Sequence, residues 1–331
     1  MPYLSLNPAT NQLIQTYASW DAQRLEQVLE QVRSAQQIWA QTPLIRRAEV
    51  LRKVAIHLHA RRDQYATLIT LEMGKPLREA RAESEATGRK MAACAGQYLK
   101  KCVLELGGSD PFIVLHDADL ELAADMAVAS RFLNCGQSCI AAKRFIVVPQ
   151  IADEFLRRFK IKVEALKLGD PMDDATQIGP MARLDLRDSL HEQVTDSIAR
   201  GAVAVTGCKA VEREGCFYQP SILDRVTAKS RAYHEELFGP VAIVIRAASE
   251  QDALRIANET RFGLGSSIWS KDVARAEQLA AHIQAGCTFI NAMVKSDPRL
   301  PFGGVKASGY GRELSKLGIH EFVNAKTVWI R

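Results

Sequence analysis

Two stretches decide the reading of this chain: Lys100-Lys101-Cys102-Val103-Leu104-Glu105-Leu106-Gly107-Gly108-Ser109-Asp110-Pro111-Phe112-Ile113-Val114-Leu115 and, beyond it, Asn134-Cys135-Gly136-Gln137-Ser138-Cys139-Ile140-Ala141-Ala142-Lys143-Arg144. Glu105 is a carboxylate inside a short apolar run. Burying it between Leu104 and Leu106 is costly and would push its pKa toward that of a usable base. Cys139 follows a glycine turn and precedes Ile-Ala-Ala, a pattern that predicts a loop leading into a small-residue helix start. A thiol at a helix N-terminus is favoured as thiolate, the form that attacks carbon. Taken singly, such a Cys is a packed small hydrophobe and such a Glu an edge-strand residue facing water.

The joint pattern carries more. Leu-Glu-Leu-Gly-Gly is followed, 34 positions after its Glu, by the Cys of Gly-Gln-Ser-Cys. This closely resembles the aldehyde dehydrogenase superfamily, in which these two motifs hold the general base and the nucleophile. The resemblance implies an α/β fold with a catalytic domain and a dinucleotide-binding, Rossmann-like domain. It gives Cys139 as nucleophile, Glu105 as base, and NAD or NADP as cofactor.

Composition agrees with an enzyme of that kind. The chain has 331 residues, 47% of them hydrophobic, enough for a substantial core and two domains or so. A net charge of +5 without a dense Lys/Arg run gives no nucleic-acid or membrane surface. The seven cysteines (Cys94, Cys102, Cys135, Cys139, Cys208, Cys216 and Cys287) form no Cys-x-x-Cys pair. That argues against a disulfide framework and for a reducing, cytoplasmic setting. Cys135 and Cys139 are not completed into a metal site by other ligands, so no metal is expected. No apolar stretch reaches membrane-spanning length, and the N-terminus has no signal-like block.

In chain order, residues 3 to 18 predict an extended pair turned at Asn7–Asn11. A helix follows from near Ser19, with Leu25, Val28, Leu29 and Val32 on one face, and Thr42-Pro43 breaks it. A second helix carries Leu51, Val54, Ala55 and Leu58. A third runs from about Asp63 to Met73, stopped by Gly74. Residues 84 to 101 predict an Ala-rich helix feeding a strand at Cys102–Leu106. Strands are expected at Phe112–Leu115, Phe145–Val148, Val241–Ile245, Ser267–Trp269 and Thr288–Ile290, with helices at Ala152–Leu166 and Glu250–Asn258 between them. That alternation is an α/β pattern with a mainly parallel sheet. The closing Lys-Thr-Val-Trp-Ile-Arg reads as a strand, which by resemblance pairs with a neighbouring subunit in a homo-oligomer, a dimer or tetramer. The expected organisation is N-terminal helices and a cofactor-domain remnant over 1–108, a catalytic domain over 109–309, and a C-terminal segment over 310–331.

Between Glu83 and Ser84 the resemblance jumps. Well over a hundred residues of the family pattern are absent there, among them the Pro-Trp-Asn motif whose Asn is an oxyanion donor. A Lys-Pro motif whose Lys meets the cofactor ribose is absent too, together with most strands of the dinucleotide-binding sheet. The only Lys-Pro pair, Lys75-Pro76, belongs to the helix-ending motif. Ser84 holds the position of a family Ser that contacts the dinucleotide, although Glu83 stands where the family has Gly. With their sheet gone, the N-terminal helices must find another partner for their apolar face or leave it exposed.

Further site residues come from the same resemblance. Glu236 and Phe238 of Glu-Glu-Leu-Phe-Gly-Pro match the family's nicotinamide-ribose Glu and ring-flanking Phe, and Leu106 lies on the nicotinamide side. Asn291 matches a residue near the active site. Ser296 and Arg299 are candidates for binding the carboxylate of a substrate, because the wording of these motifs looks most like the succinate-semialdehyde branch. A solvated loop is an equally good reading of those two. The implied reaction adds the Cys139 thiol to an aldehyde, passes hydride to nicotinamide and leaves a thioester, which water activated by Glu105 hydrolyses. NAD and NADP both stay open, since the segment that selects between them is among the absent residues.

Overall fold

A computed structural model describes residues 2–80 and 101–331. Ser84 and the predicted helix of 84–101 therefore lie outside the described residues, except for Lys101. The centre of the molecule is a seven-stranded sheet in the order β10-β9-β4-β5-β8-β7-β6. Its strands are β4 (Asp110–Val114), β5 (Ala142–Val147), β6 (Val203–Thr206), β7 (Ser221–Asp224), β8 (Val241–Arg246), β9 (Ser267–Trp269) and β10 (Phe289–Ile290). All neighbours are parallel except β6 on β7. The inner strands are continuous apolar runs because helices cover both faces. The helix Ala152–Glu164 presents Phe155, Phe159 and Val163 at intervals of four, and Phe159 lies 4.9 Å from the ring of Phe145. Phe112 lies between Phe145, tilted against it, and Trp269, stacked on it, each centroid 5.0 Å away. All five expected strands are present, within a few residues of their predicted ends.

The N-terminal part divides into a docked and a bare portion. The strands β1 (Tyr3–Leu6) and β2 (Leu13–Tyr17) form an antiparallel pair. Their turn docks where Cys216 N–H donates to Pro8 O at 2.8 Å. Helix α3 (Arg62–Met73) buries Ala66 and Thr70 and stops at Gly74, left-handed at φ +74°. Leu77 N–H then donates to Pro171 O at 3.0 Å, and α4 (Leu77–Ala80) buries Ala80. By contrast α1 (Ala22–Gln41) and α2 (Leu44–Ala60) bury no residue at all, so the apolar face expected to need a new partner stands exposed. Among the described residues the only other sheets are two-stranded, and no dinucleotide-binding parallel sheet is present.

Two local expectations are corrected. The strand predicted over Cys102–Leu106 shrinks to β3 (Leu104–Glu105), paired antiparallel with β11 (Gly309–Tyr310). Glu105 is thereby tied to the junction of the catalytic and C-terminal segments, across the boundary expected at 309. The C-terminal Lys-Thr-Val-Trp-Ile-Arg makes no strand in the single chain, and Val328, Trp329 and Ile330 are 70, 88 and 86% exposed. A terminal strand exists only where another edge supplies its hydrogen bonds.

Candidate active site

The register fixes where the site lies. Asp110 pairs with Ala142, Arg144 with Ile243 and Phe112 with Ser267, so the segments before β4, β5, β8 and β9 share one edge of the sheet. Glu105, Cys139, Glu236 and Leu264 all lie on those incoming segments. The chemistry is thus gathered at the N-terminal ends of the parallel strands.

Cys139 does not start a helix, contrary to expectation. The helix Leu120–Phe132 ends in a 3-10 turn, Leu133–Gly136, with Asn134 and Cys135 left-handed at φ +51° and +55°. Cys139 then sits in a turn that runs straight into β5. Ala142 begins that strand, with Ala141 in the bend just before it. The turn is held stiffly. Asn134 N–H donates to Glu79 Oε2 at 2.7 Å, Asn134 Nδ2 to Gln137 O at 2.8 Å, and Ala182 N–H to Gln137 Oε1 at 2.8 Å. Arg131, fully buried, donates to the carbonyls of Leu237 (2.9 Å), Ala142 and Gly239.

Across from it, the β3–β11 ladder and the Leu106 N–H to Ser308 O bond of 3.0 Å hold the Glu105 segment. Cys139 Sγ lies 4.0 Å from Glu105 Oε2. The glycines after Glu105 permit the close approach of two neighbours: a side chain at Gly107 would collide with the Glu236 carboxylate, and one at Gly108 with Cys139 O. Gly108 N–H donates to Glu236 Oε1 at 3.1 Å.

Three charged residues that the sequence reading missed organise this edge. Lys143 Nζ donates to Ser138 O at 2.7 Å and Cys139 O at 2.6 Å, and lies 3.2 Å from Glu236 Oε1. Arg144 donates to Ser109 O at 2.8 Å and to Ile256 and Ala257 O, at the C-terminal end of the helix Glu250–Asn258, where a cation also meets the helix dipole. Asp110 is buried with one oxygen accepting from Gly265 N–H at 3.1 Å. Burial raises its carboxyl to about 6, with Lys143 and that hydrogen bond acting in the opposite sense. The sequence did carry a signal: a Lys-Arg pair at the head of Phe-Ile-Val-Val is a poor surface motif, and Pro111 is out of place in an inner strand.

The other candidates divide. Glu236 is brought to the Cys139–Gly108 edge, and Leu106 adjoins Glu105. Phe238 is 40% exposed. Asn291 follows β10 at the far end of the sheet, level with Trp269 and Val114. That is about 13 Å along the strands from the level of Asp110. Its amide bonds the backbone of Ser270 twice, at 3.0 and 2.8 Å, which fixes a strand end and does not bring it to the thiol. Ser296 is exposed, and Arg299 closes on its neighbour Asp297 at 2.6 Å in an exposed loop. Among the described residues no group of three or more His, Cys, Asp or Glu is placed to hold a metal ion, and no helix is long and apolar enough to cross a membrane.

Comparison with known proteins matches the profile described as "Aldehyde dehydrogenase family" in two pieces, residues 2–86 and 83–328. The pieces meet where the sequence pattern jumps. A succinate semialdehyde dehydrogenase [NAD(P)+] of Escherichia coli (strain K12) is 52% identical over 242 residues, 73% of this chain and 52% of that relative. A succinate-semialdehyde dehydrogenase [NADP(+)] of Mycobacterium avium (strain 104) is 52% identical over 247 residues, 75% of this chain and 52% of the relative. The chain spans about half the length of these curated relatives. Among solved structures, a succinic semialdehyde dehydrogenase from Streptococcus pyogenes in complex with NADP+ superposes with a TM-score of 0.93 at 27% identity, covering 99% of each chain. Gox0499, described by its cofactor and substrate selection, superposes at 0.95 and 30% identity, covering 100% of each. These superpositions run from end to end, whereas the sequence match leaves nearly half of each curated relative unpaired.

Proposed function

Since the chain belongs to the aldehyde dehydrogenase family, we propose that Cys139 is its nucleophile and Glu105 its general base in the NAD(P)-dependent oxidation of an aldehyde, succinate semialdehyde being the proposed substrate. The observation that carries this reading is the 4.0 Å approach of Cys139 Sγ to Glu105 Oε2. Two curated relatives named for succinate semialdehyde support the substrate.

The chain's own residues account for the aldehyde half. Cys139 sulfur bonds to the aldehyde carbon, the carbonyl electron pair moves to oxygen, and the thiol proton passes to Glu105. In the hydrolytic half, Glu105, having first released that proton to solvent, takes a proton from water as the water oxygen bonds to the acyl carbon and sulfur leaves as thiolate. NAD or NADP, when bound, supplies the hydride acceptor. The residues described fit that cofactor only at its nicotinamide end, through Leu106, Glu236 and Phe238, because among the described residues no second parallel sheet stands ready for the adenosine half. Even there, Glu236 is turned onto Gly108 and Lys143.

A second reading, a binding or oligomerising subunit that does not turn over, is favoured by the bare faces of α1 and α2 and the exposed C-terminal tail. Steady-state assay with succinate semialdehyde and either cofactor separates the two. We expect turnover that is at least about 10²-fold below a full-length relative, the loss that one absent oxyanion donor alone brings, and none in Cys139→Ala. Turnover within about tenfold of the relative overturns the account of the missing block. Equal residual turnover in Cys139→Ala overturns the nucleophile assignment, and no turnover in the parent leaves the second reading.

A further inference from the structure

The ladder between β4 and β5 is irregular at one point. Asp110 faces Ala142 but Pro111 faces Arg144, so Lys143 is an extra residue without a ladder partner. Pro111 has no N–H to give, and proline is tolerated in an inner strand only at such a bulge. Bulges re-aim side chains beside active sites. In a regular strand Lys143 and Arg144 would point to opposite faces. Here Arg144 reaches Ser109 and the helix end, while Lys143 turns back under the Cys139 turn. Its side chain has no exposure, and its three protons find three acceptors: Ser138 O, Cys139 O and Glu236 Oε1.

We propose that Lys143 is the positioning residue for the Cys139 thiol in the aldehyde reaction. Its ammonium fixes the Ser138 and Cys139 carbonyls from behind, so that Sγ is presented to Glu105. Its charge, shared with Glu236, sets the field in which that thiol reacts. With no helix N-terminus at Cys139, this buried cation takes over the electrostatic part that a helix would have played. The other charged groups facing Lys143 are Asp110 from β4 and Arg131 from the helix Leu120–Phe132, and Glu105 from β3 faces Cys139 itself. Cys287 packs into the same apolar cluster as Cys139, with Leu264, Val294 and Phe302. A compact, three-proton ammonium suits this site better than the planar guanidinium of arginine.

The proposal rests on Cys139 as the nucleophile, and its test reads the thiol without requiring turnover. The rate of iodoacetamide labelling at Cys139 is followed by mass spectrometry on the full chain between about pH 6 and 9, with circular dichroism as a check of folding. Lys143→Met is expected to slow Cys139 about tenfold near pH 7 and to raise the midpoint of its pH profile by about one unit, leaving Cys102 unchanged. Lys143→Arg, which keeps the charge, is expected to restore the midpoint but not the full rate. A folded Lys143→Met chain whose Cys139 rate and midpoint match the parent overturns the proposal. Should that variant fail to fold, Glu236→Gln removes only the counter-charge and is expected to lower the midpoint, and an unmoved midpoint likewise overturns it. If Cys139 is not the first thiol labelled in the parent, the nucleophile assignment itself fails. If it is, and the Lys143 variants leave it unaltered, only the role of Lys143 fails.

Discussion

The carboxylate of Glu79 accepts a hydrogen bond from the backbone N–H of Asn134 at 2.7 Å, joining segments 55 residues apart. Glu79 lies in the first of the two family-matched pieces and Asn134 in the turn that precedes Cys139. The end of the N-terminal piece is therefore part of the active-site scaffold. Burial holds the Glu79 carboxyl above its ordinary pKa, the Asn134 hydrogen bond working against that rise. Asn134 is left-handed at φ +51°, a region that Asn adopts more readily than most residues, and the bond to Glu79 adds to its hold.

Glu79→Ala is expected to destabilise the chain by about 2 kcal/mol, the usual cost of losing a partly buried bond to a charged group. Glu79→Gln, which keeps an acceptor, should cost less. Urea unfolding measures both, and an Ala variant as stable as the parent would show that Asn134 holds its turn without help.

Asp110 gives a pH signature. Its folded carboxyl titrates near 6, raised from 3.8 chiefly by burial. Between those values the folded state keeps a proton that the unfolded state has released. Unfolding free energy therefore falls as pH rises through the window, by about 3 kcal/mol in all, and changes no further above it. Asp110→Asn cannot titrate. Its stability relative to the parent should rise from about pH 4 to pH 6 and then level off. A difference that stays constant with pH would contradict the burial of an ionisable Asp110.

Helices α1 and α2 should be the first to be nicked by protease. They bury no residue, and Leu25, Leu29, Val32, Leu51, Val54 and Leu58 are all exposed. Local opening there meets little resistance. Limited trypsin digestion followed by mass spectrometry should show cuts within residues 22–60 before any within 110–290. The reverse order would mean that these helices are covered in solution.

Much of this was legible from residues alone. The apolar runs at Phe112, Phe145 and Val241 read correctly as strands because they are short, rich in β-branched and aromatic residues, and have Pro or Gly close to at least one end. The stretch Ile140-Ala141-Ala142 did not, since a short apolar run has no periodicity to tell helix from buried strand. What ended the helix earlier was a left-handed turn at Asn134 and Cys135, fixed by distant Glu79. The sequence leaves Arg299 between a substrate cation and a solvated loop, and in the structure its guanidinium pairs with Asp297, two residues before it. Asn291 spends its amide on Ser270. The buried clamp of Lys143 depended on a bulge, whose one trace in the sequence is Pro111. The closing strand depends on an edge that a single chain lacks.

The most direct test of the site is a race among the thiols. Burial raises Cys208 to about 11 and Cys287 to about 12, and pushes Cys135 and Cys216 up as well. Cys102 lies 3.2 Å from the Tyr310 hydroxyl. Brief iodoacetamide treatment of the native chain, mapped by mass spectrometry, should label Cys139 first, and prior succinate semialdehyde should slow that labelling and no other. First labelling at any of Cys94, Cys102 or Cys208, or no protection of Cys139 by the aldehyde, would contradict the assignment of Cys139 as the thiol that meets substrate.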